Sequence, residues 1–85
     1  MIDLSTIEGR VIHVVADQFG IDENEITRDM LIVQNLGADS LEVTELTMEL
    51  EEEFSIDIPE DVGDRLLTVG QIIDYISSVP IDSAA

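Results

Sequence analysis

The residues best placed to do chemistry are Asp39 and Ser40, in the middle of the chain. Asp39 predicts a helix N-cap, Glu42 stands where a capping box needs its acid, and Gly37 allows a sharp turn before the cap. Ser40 therefore opens the helix. A phosphate ester on its hydroxyl would lie at the positive end of the helix dipole, near N–H groups without intrahelical partners. Taken alone, this pattern is also explained by Ser40 sharing the capping with Asp39.

The helix that follows, from Glu42 to Phe54, carries two apolar strips on opposite sides. At about 100° per residue, the strip predicted to face the core consists of Val43, Leu46, Leu50 and Phe54. The opposite strip consists of Leu41, Thr44 and Met48, flanked by Glu45, Glu51 and Glu52. Single exposed apolar residues are common, but an aligned strip beside a presented serine indicates a docking face.

A resemblance to a known family rests on motifs spread over most of the chain. These are Leu36-Gly37-Ala38-Asp39-Ser40-Leu41, Glu45-Leu46, Met48, Leu50-Glu51-Glu52-Glu53-Phe54, Ile58-Pro59, and Thr68-Val69 through Asp74-Tyr75-Ile76. In this order and at this spacing, the motifs are similar to those of the bacterial acyl carrier proteins of dissociated, type II fatty acid synthesis. The similarity runs from about Val11 to Ile76 without an evident gap.

The resemblance implies that Ser40 receives 4′-phosphopantetheine from coenzyme A and that acyl chains are carried as thioesters on its thiol. Asp39 would orient the attachment turn and contact the phosphopantetheinyl transferase. Ketoacyl synthases, reductases, the dehydratase and acyltransferases would dock on Leu41, Thr44 and Met48, steered by Glu45, Glu51 and Glu52. The pattern alone indicates core residues where the second helix meets the third, and the resemblance implies that they also part to shelter an acyl chain. These residues are Leu46, Leu50, Ile58, Val62, Leu66 and Ile73. The chain would be a carrier and not an enzyme.

The pattern along the chain predicts an all-α fold, a small four-helix bundle with three longer helices, one short helix and a long first loop. The first predicted helix is Thr6–Phe19, after a Ser5/Glu8 capping box, and the second follows Ser40. The third is short and covers about Pro59–Arg65. The fourth follows a Thr68/Gln71 capping box and ends before Pro80. The predicted anchors of the loop are Ile26, Met30, Ile32 and Leu36. We expect one acyl-carrier domain over residues 1–85, ordered over about 3–79 and flexible over 80–85.

Charge and composition limit the classes of partner. The 85 residues carry a net charge of −17, with three arginines and no lysine, which argues against nucleic acid or an anionic membrane as a ligand. Basic protein surfaces are the expected partners of a monomer. The chain has no cysteine, so a thioester needs an imported sulfur. With no basic N-terminal segment before a long apolar run, and no apolar stretch of membrane-spanning length, we expect a cytoplasmic protein.

Residues for independent catalysis are scarce. His13, the only histidine, is predicted on the exposed side of the first helix, where it would pair with Asp17 rather than activate Ser40. Asp22 and Asn24 do not begin an EF-hand, because the glycine that such a loop requires is missing. We therefore expect neither a catalytic base nor a dedicated metal site, while weak binding of divalent cations by clustered acids stays open.

Two alternatives to a fatty acid carrier stay open at this point. One is an acidic interaction protein that mimics nucleic acid, although such a protein has no use for the motif around Ser40. The other is a specialised carrier for polyketide or lipid synthesis, because the chain departs from the usual family pattern at Ile32, Asn35, Thr44 and Glu49.

Overall fold

The computed structural model describes residues 5–79 and consists of four α-helices joined by loops. They are α1 (Ile7–Phe19), α2 (Ser40–Phe54), α3 (Glu60–Gly63) and α4 (Val69–Ser78), with a short 3₁₀ helix over Glu23–Glu25 in the first loop. Three of the helices are long and one is short, and no strand occurs between residues 5 and 79. This confirms the predicted all-α fold. The expected order from residue 3 and the flexible end over 80–85 fall partly or wholly outside the described residues.

Local capping sets where the long helices begin. Both predicted capping boxes at α2 and α4 are present: Glu42 N–H donates to Asp39 Oδ1 at 2.8 Å, and Gln71 N–H donates to Thr68 Oγ1 at 3.1 Å. The cap predicted for α1 was wrong by one residue. Thr6, in extended conformation, is the N-cap and its Oγ1 accepts from Gly9 N–H at 2.9 Å.

The third helix is shorter than predicted. It covers only Glu60–Gly63, and Pro59 occupies the N-cap instead of the first helical position. The backbone of Pro59 is extended, with φ −58° and ψ 150°, so it precedes the helix. Beyond Gly63 the N–H groups of Arg65 and Leu66 bond carbonyls three residues back, which is the bonding of a tight turn.

The core lies where α1 packs against α2 and α4. The predicted core strip of α2 is confirmed for Leu46, Leu50 and Phe54, which are buried, whereas Val43 is half-buried. The buried apolar residues of the other segments are Val11, Val14, Val15, Ala16, Ile26, Ile32, Ala38, Ile58, Val69, Ile72, Ile73 and Ile76. Burial of these side chains supplies the main favourable term in folding.

The long first loop is fixed to the start of α4. Ile26 and Ile32 are buried and Met30 and Leu36 are half-buried, so all four predicted anchors contact the core. An isolated antiparallel bridge pairs Leu31 with Thr68. These contacts hold the loop in place up to the point where it delivers Ser40.

Gly70 permits a close approach between the loop and α4. Its N–H donates to Arg28 O at 2.7 Å, and a Cβ at Gly70 would lie 2.9 Å from the same oxygen. A larger residue there would have to displace backbone.

Candidate functional site

Ser40 is the first residue of α2 and is exposed to solvent. Its backbone carbonyl accepts a hydrogen bond from Thr44 Oγ1 at 3.0 Å, but no group among residues 5–79 bonds the Ser40 hydroxyl. Asp39 caps the helix through its own carboxylate, so the simpler explanation of Ser40 as a second capping residue does not hold. The hydroxyl is free to react and stands at the positive end of the α2 dipole.

A cavity of about 530 Å³, the outer cavity, opens beside Ser40. It lies between the end of the first loop, the first turn of α2 and the segment after α3. Its lining residues are Leu31, Ile32, Val33, Gln34, Ala38, Asp39, Ser40, Val43, Thr44, Gly63, Asp64, Leu66 and Leu67. Most of these are aliphatic, and Gln34, Thr44 and Asp64 add polar groups on the walls.

The outer cavity fits a flexible arm that alternates amide groups with short apolar segments. An arm attached to the Ser40 oxygen would begin at the cavity edge, with aliphatic walls for its carbon chain and side-chain oxygens for its amides. Phosphopantetheine has this chemistry, and its phosphate would lie against the N-terminus of α2. The residues present therefore fit the group.

The predicted docking strip on α2 is exposed. Leu41 and Met48 keep 65% and 53% of their surface open to solvent, and Thr44 between them is also exposed. Glu45 and Glu52 are exposed beside the strip, where they line a shallow groove with Met48. The strip therefore presents apolar side chains with carboxylates at their edge.

Glu51 lies in a different environment from the one its sequence position predicted. Its Oε2 accepts a hydrogen bond of 2.7 Å from Ile58 N–H, and the residue is only partly exposed. The carboxylate thus holds the loop between α2 and α3, seven residues further along the chain. A bond of this kind to a charged acceptor stabilises a fold by about 1.5–3 kcal/mol.

Four of the six predicted acyl-pocket residues surround a small void in the core. Leu46, Leu50, Ile58 and Leu66 line this inner void of about 20 Å³. Val62 is half-buried and Ile73 is buried, but neither lines it. The remaining lining residues, which sequence reasoning missed, are Ile32, Val43, Thr47, Gly63 and Ile72.

The arginines bond acidic residues away from the docking strip. Arg10 Nε bonds Glu53 Oε2 at 2.9 Å, Arg28 Nη2 bonds Asp74 Oδ1 at 2.7 Å, and Arg65 lies 4.0 Å from Asp61. The hydrogen bond and charge of Asp74 raise the pKa of Arg28. Within residues 5–79, no arginine therefore pairs with Glu45 or Glu52 on the strip.

His13 pairs with a different acid from the predicted one. Its Nδ1 lies 2.6 Å from Glu23 Oε2 in the 3₁₀ helix, whereas Asp17 acts only through its charge. The Glu23 hydrogen bond raises the pKa of His13. Sequence spacing favoured Asp17 because it lies one turn along α1, while the approach of Glu23 depends on the path of the loop.

Two exposed apolar residues beside Ser40 were not predicted. Val33 and Leu67 keep 56% and 55% of their surface exposed, and both line the outer cavity. Their residue type alone did not indicate that they line a site, because isolated aliphatic residues in loops are common.

Within residues 5–79, no cluster of three or more histidine, aspartate or glutamate side chains is arranged to hold a metal ion. None of the helices in this part of the chain combines the length and the apolar character needed to cross a membrane.

Comparison with protein families adds an independent finding. The model of one family, described as the phosphopantetheine attachment site, matches residues 9–76, which include most of α1, all of α2 and α3, most of α4 and the turn before Ser40. This match indicates a carrier protein and gives no support to an acidic mimic of nucleic acid. The chain belongs to the phosphopantetheine attachment site family, whose domain carries a covalently attached 4′-phosphopantetheine.

Proposed function

We propose that Ser40 is the attachment residue and that the chain is an acyl carrier protein of dissociated, bacterial fatty acid synthesis. The observation that carries the proposal is the unbonded, exposed Ser40 hydroxyl at the start of α2, beside a largely aliphatic cavity. The attached group supplies a thiol that holds acyl chains as thioesters. Asp39 supports the site by fixing the first turn of α2, because its carboxylate bonds Glu42 N–H.

Partner enzymes would recognise the exposed strip of α2. Leu41, Thr44 and Met48 give apolar contacts, and Glu45 and Glu52 attract basic patches on the transferase and on the synthesis enzymes. Glu51 contributes charge to this face while it holds Ile58. The net charge of −17 supports basic protein surfaces as the partners.

The six residues predicted for the acyl pocket would enclose the acyl chain. Leu46, Leu50, Ile58 and Leu66 would contact the acyl chain in the inner void, and Val62 and Ile73 would pack behind these four residues. Their aliphatic side chains separate more easily than interlocked aromatic rings would.

The attachment residue is tested by the intact mass of the protein after incubation with coenzyme A and a phosphopantetheinyl transferase. We expect the natural chain to gain one phosphopantetheinyl group and Ser40→Ala to gain none. The variant should keep its fold, because Asp39 still caps α2 and alanine is a good helix residue. Ser77→Ala, at an exposed serine of α4, is the matched control and should be modified like the natural chain.

A Ser40→Ala chain that still gained the group would contradict the assignment of Ser40. The pathway is tested separately, by supplying the modified protein to purified ketoacyl synthase, reductases and dehydratase of dissociated fatty acid synthesis. Elongation of the carried chain would support the proposed pathway. Modification without elongation would favour a specialised carrier.

A further inference from the structure

Gly63, at the end of α3, is one of two residues at which three cavities of the molecule meet. It lines the outer cavity beside Ser40, the inner void, and a side groove of about 360 Å³ between α2 and α3. Among the residues that line cavities in the described part of the chain, this is the only one common to these three apart from Val43. At Gly63, therefore, no side chain stands where the three cavities meet.

The outer cavity and the inner void share part of their lining. Four residues line both spaces, namely Ile32, Val43, Gly63 and Leu66. Three of them are aliphatic, and Gly63 is the one without a side chain. The easiest path from Ser40 towards the core therefore runs past Gly63.

The space at Gly63 is large enough for a methyl group. A Cβ built there would lie 3.8 Å from Thr47 Oγ1 and 4.0 Å from Ile58 Cγ2, which are ordinary contact distances. An alanine would fit the resting structure and would also bring α3 into contact with α2. It would fill part of the path without forcing its surroundings apart.

The segment that contains Gly63 can move without losing backbone bonds to the rest of the protein. The N–H groups of Gly63, Asp64, Arg65 and Leu66 all bond carbonyls between Pro59 and Gly63. The segment is held at its two ends instead, where Ile58 N–H bonds Glu51 and where Leu67 O accepts from Ile32 N–H. When this segment moves away from α2, only side-chain packing between these two ends is lost.

Opening is necessary because the inner void holds no more than about one water-sized group at 20 Å³. We propose that Gly63 is the threshold through which a linear aliphatic acyl chain passes from the outer cavity into the core. Its missing side chain would determine the length of chain that the protein shelters. This inference rests on the proposed carrier function and adds a specificity-determining residue to it.

The test compares the natural chain, Gly63→Ala and the control Asp61→Ala, each carrying linear acyl groups from butanoyl to tetradecanoyl. Asp61 lies in the same short helix but lines none of the three cavities. For each protein, the rise in Tm from the unacylated to the acylated form is measured, together with the rate at which hydroxylamine cleaves the thioester.

We expect the rise in Tm to increase with acyl length in the natural chain and in Asp61→Ala. In Gly63→Ala the longer groups should lose most of this stabilisation, and hydroxylamine should cleave their thioesters several-fold faster than in the natural chain. The unacylated variant should melt no lower than the natural chain, because alanine fits the space and has the higher helix propensity.

Gly63→Ala with the length dependence of the natural chain would overturn the inference. It would also be overturned if Tm in the natural chain did not depend on acyl length, while the carrier function would stand. The intact mass, measured before any melt, separates these results from failure of the carrier function itself. A chain that gains no phosphopantetheinyl group would overturn both.

Discussion

His13 links the stability of the protein to pH near neutrality. Its bond to Glu23 joins α1 to the 3₁₀ helix and raises the pKa of His13 above 6.5 in the folded state. Because the folded pKa is higher than the unfolded one, protonation favours folding. This contribution is complete below about pH 6.5 and is lost as the pH rises through the folded pKa.

We therefore expect Tm to fall between about pH 6 and pH 8, and to fall less in His13→Gln, as thermal melts at constant ionic strength can show. Glu23→Gln removes the acceptor charge and is the matched control, since it should flatten the pH dependence to a similar extent. An unchanged pH dependence in His13→Gln would show that protonation of His13 does not contribute to stability.

Single residues also show what sequence can predict. Asp39 and Thr68 were assigned correctly as caps, because a cap and its partner lie within three residues and need no knowledge of the fold. The partners of Glu51 and His13 were missed, since both lie across loops whose paths depend on tertiary packing. The Ser40 turn was predicted for the same local reason as the caps.

At the scale of elements, the charges and the apolar side chains of α2 should affect different rates of partner binding. We expect Glu45→Lys to slow association with a basic partner such as the phosphopantetheinyl transferase, because exposed charges act on encounter. Met48→Ala should mainly speed dissociation, since buried apolar contacts act on residence time. Stopped-flow binding at low and high salt measures both rates.

Glu25→Lys, in the exposed 3₁₀ helix, makes the same charge change away from α2 and is the control for Glu45→Lys. Equal association rates for the two variants at low salt would contradict steering by the α2 face. Glu51→Lys, predicted from sequence to act like Glu45→Lys, is a less suitable variant because it also breaks the bond to Ile58.

Arg10 connects the beginning of α1 to the end of α2. Its Nη2 donates to Glu53 O at 2.7 Å, and its guanidinium carbon lies 4.6 Å from the centre of the Phe54 ring. Because a cation is favoured at a helix C-terminus and over an aromatic face, we expect Arg10→Ala to lower the free energy of unfolding by about 1–2 kcal/mol. Urea denaturation measures this change.

Arg65→Ala is the matched control, since it removes the same charge from an exposed pair with Asp61 at 4.0 Å. We expect Arg65→Ala to lower the free energy of unfolding by less than about 0.5 kcal/mol. Equal losses in the two variants would mean that net charge, and not the contacts of Arg10, determines the effect.

The helices themselves were predicted to different accuracy. α2 and α4 were correct at their N-termini because each begins with a capping box. α3 was predicted too long, since a proline before an acidic run suggests a helix while Gly63 favours its end. The Leu31–Thr68 bridge was not predicted, because it pairs segments far apart in sequence.

At the scale of the whole molecule, like charges oppose folding. Most of the net charge of −17 lies within residues 5–79, in a body of 36 × 32 × 18 Å, so many carboxylates are closer together than in an expanded chain. At 0.15 M ionic strength the Debye length is about 8 Å, which screens most pairs across the molecule. We expect sodium chloride to raise Tm.

Magnesium chloride of matched ionic strength should raise Tm further, because divalent counterions concentrate beside neighbouring acids such as Glu51, Glu52 and Glu53. Calorimetric melts in low-salt buffer and in each salt provide the measurement. The same series with added sucrose, which is neutral, controls for general solute effects. Melting temperatures that respond to neither salt would show that repulsion is a minor contribution.

The bonding of the segment over residues 59–66 also determines how backbone amides exchange with solvent. The N–H groups of Gly63 to Leu66 bond only within their own segment, so they become accessible when this segment opens alone. Amides in the middle of α1, such as that of Val15, become accessible only when the packing of α1 against α2 and α4 is lost. Exchange in deuterated water therefore separates two opening events in one small domain, a local one at α3 and a global one in the core.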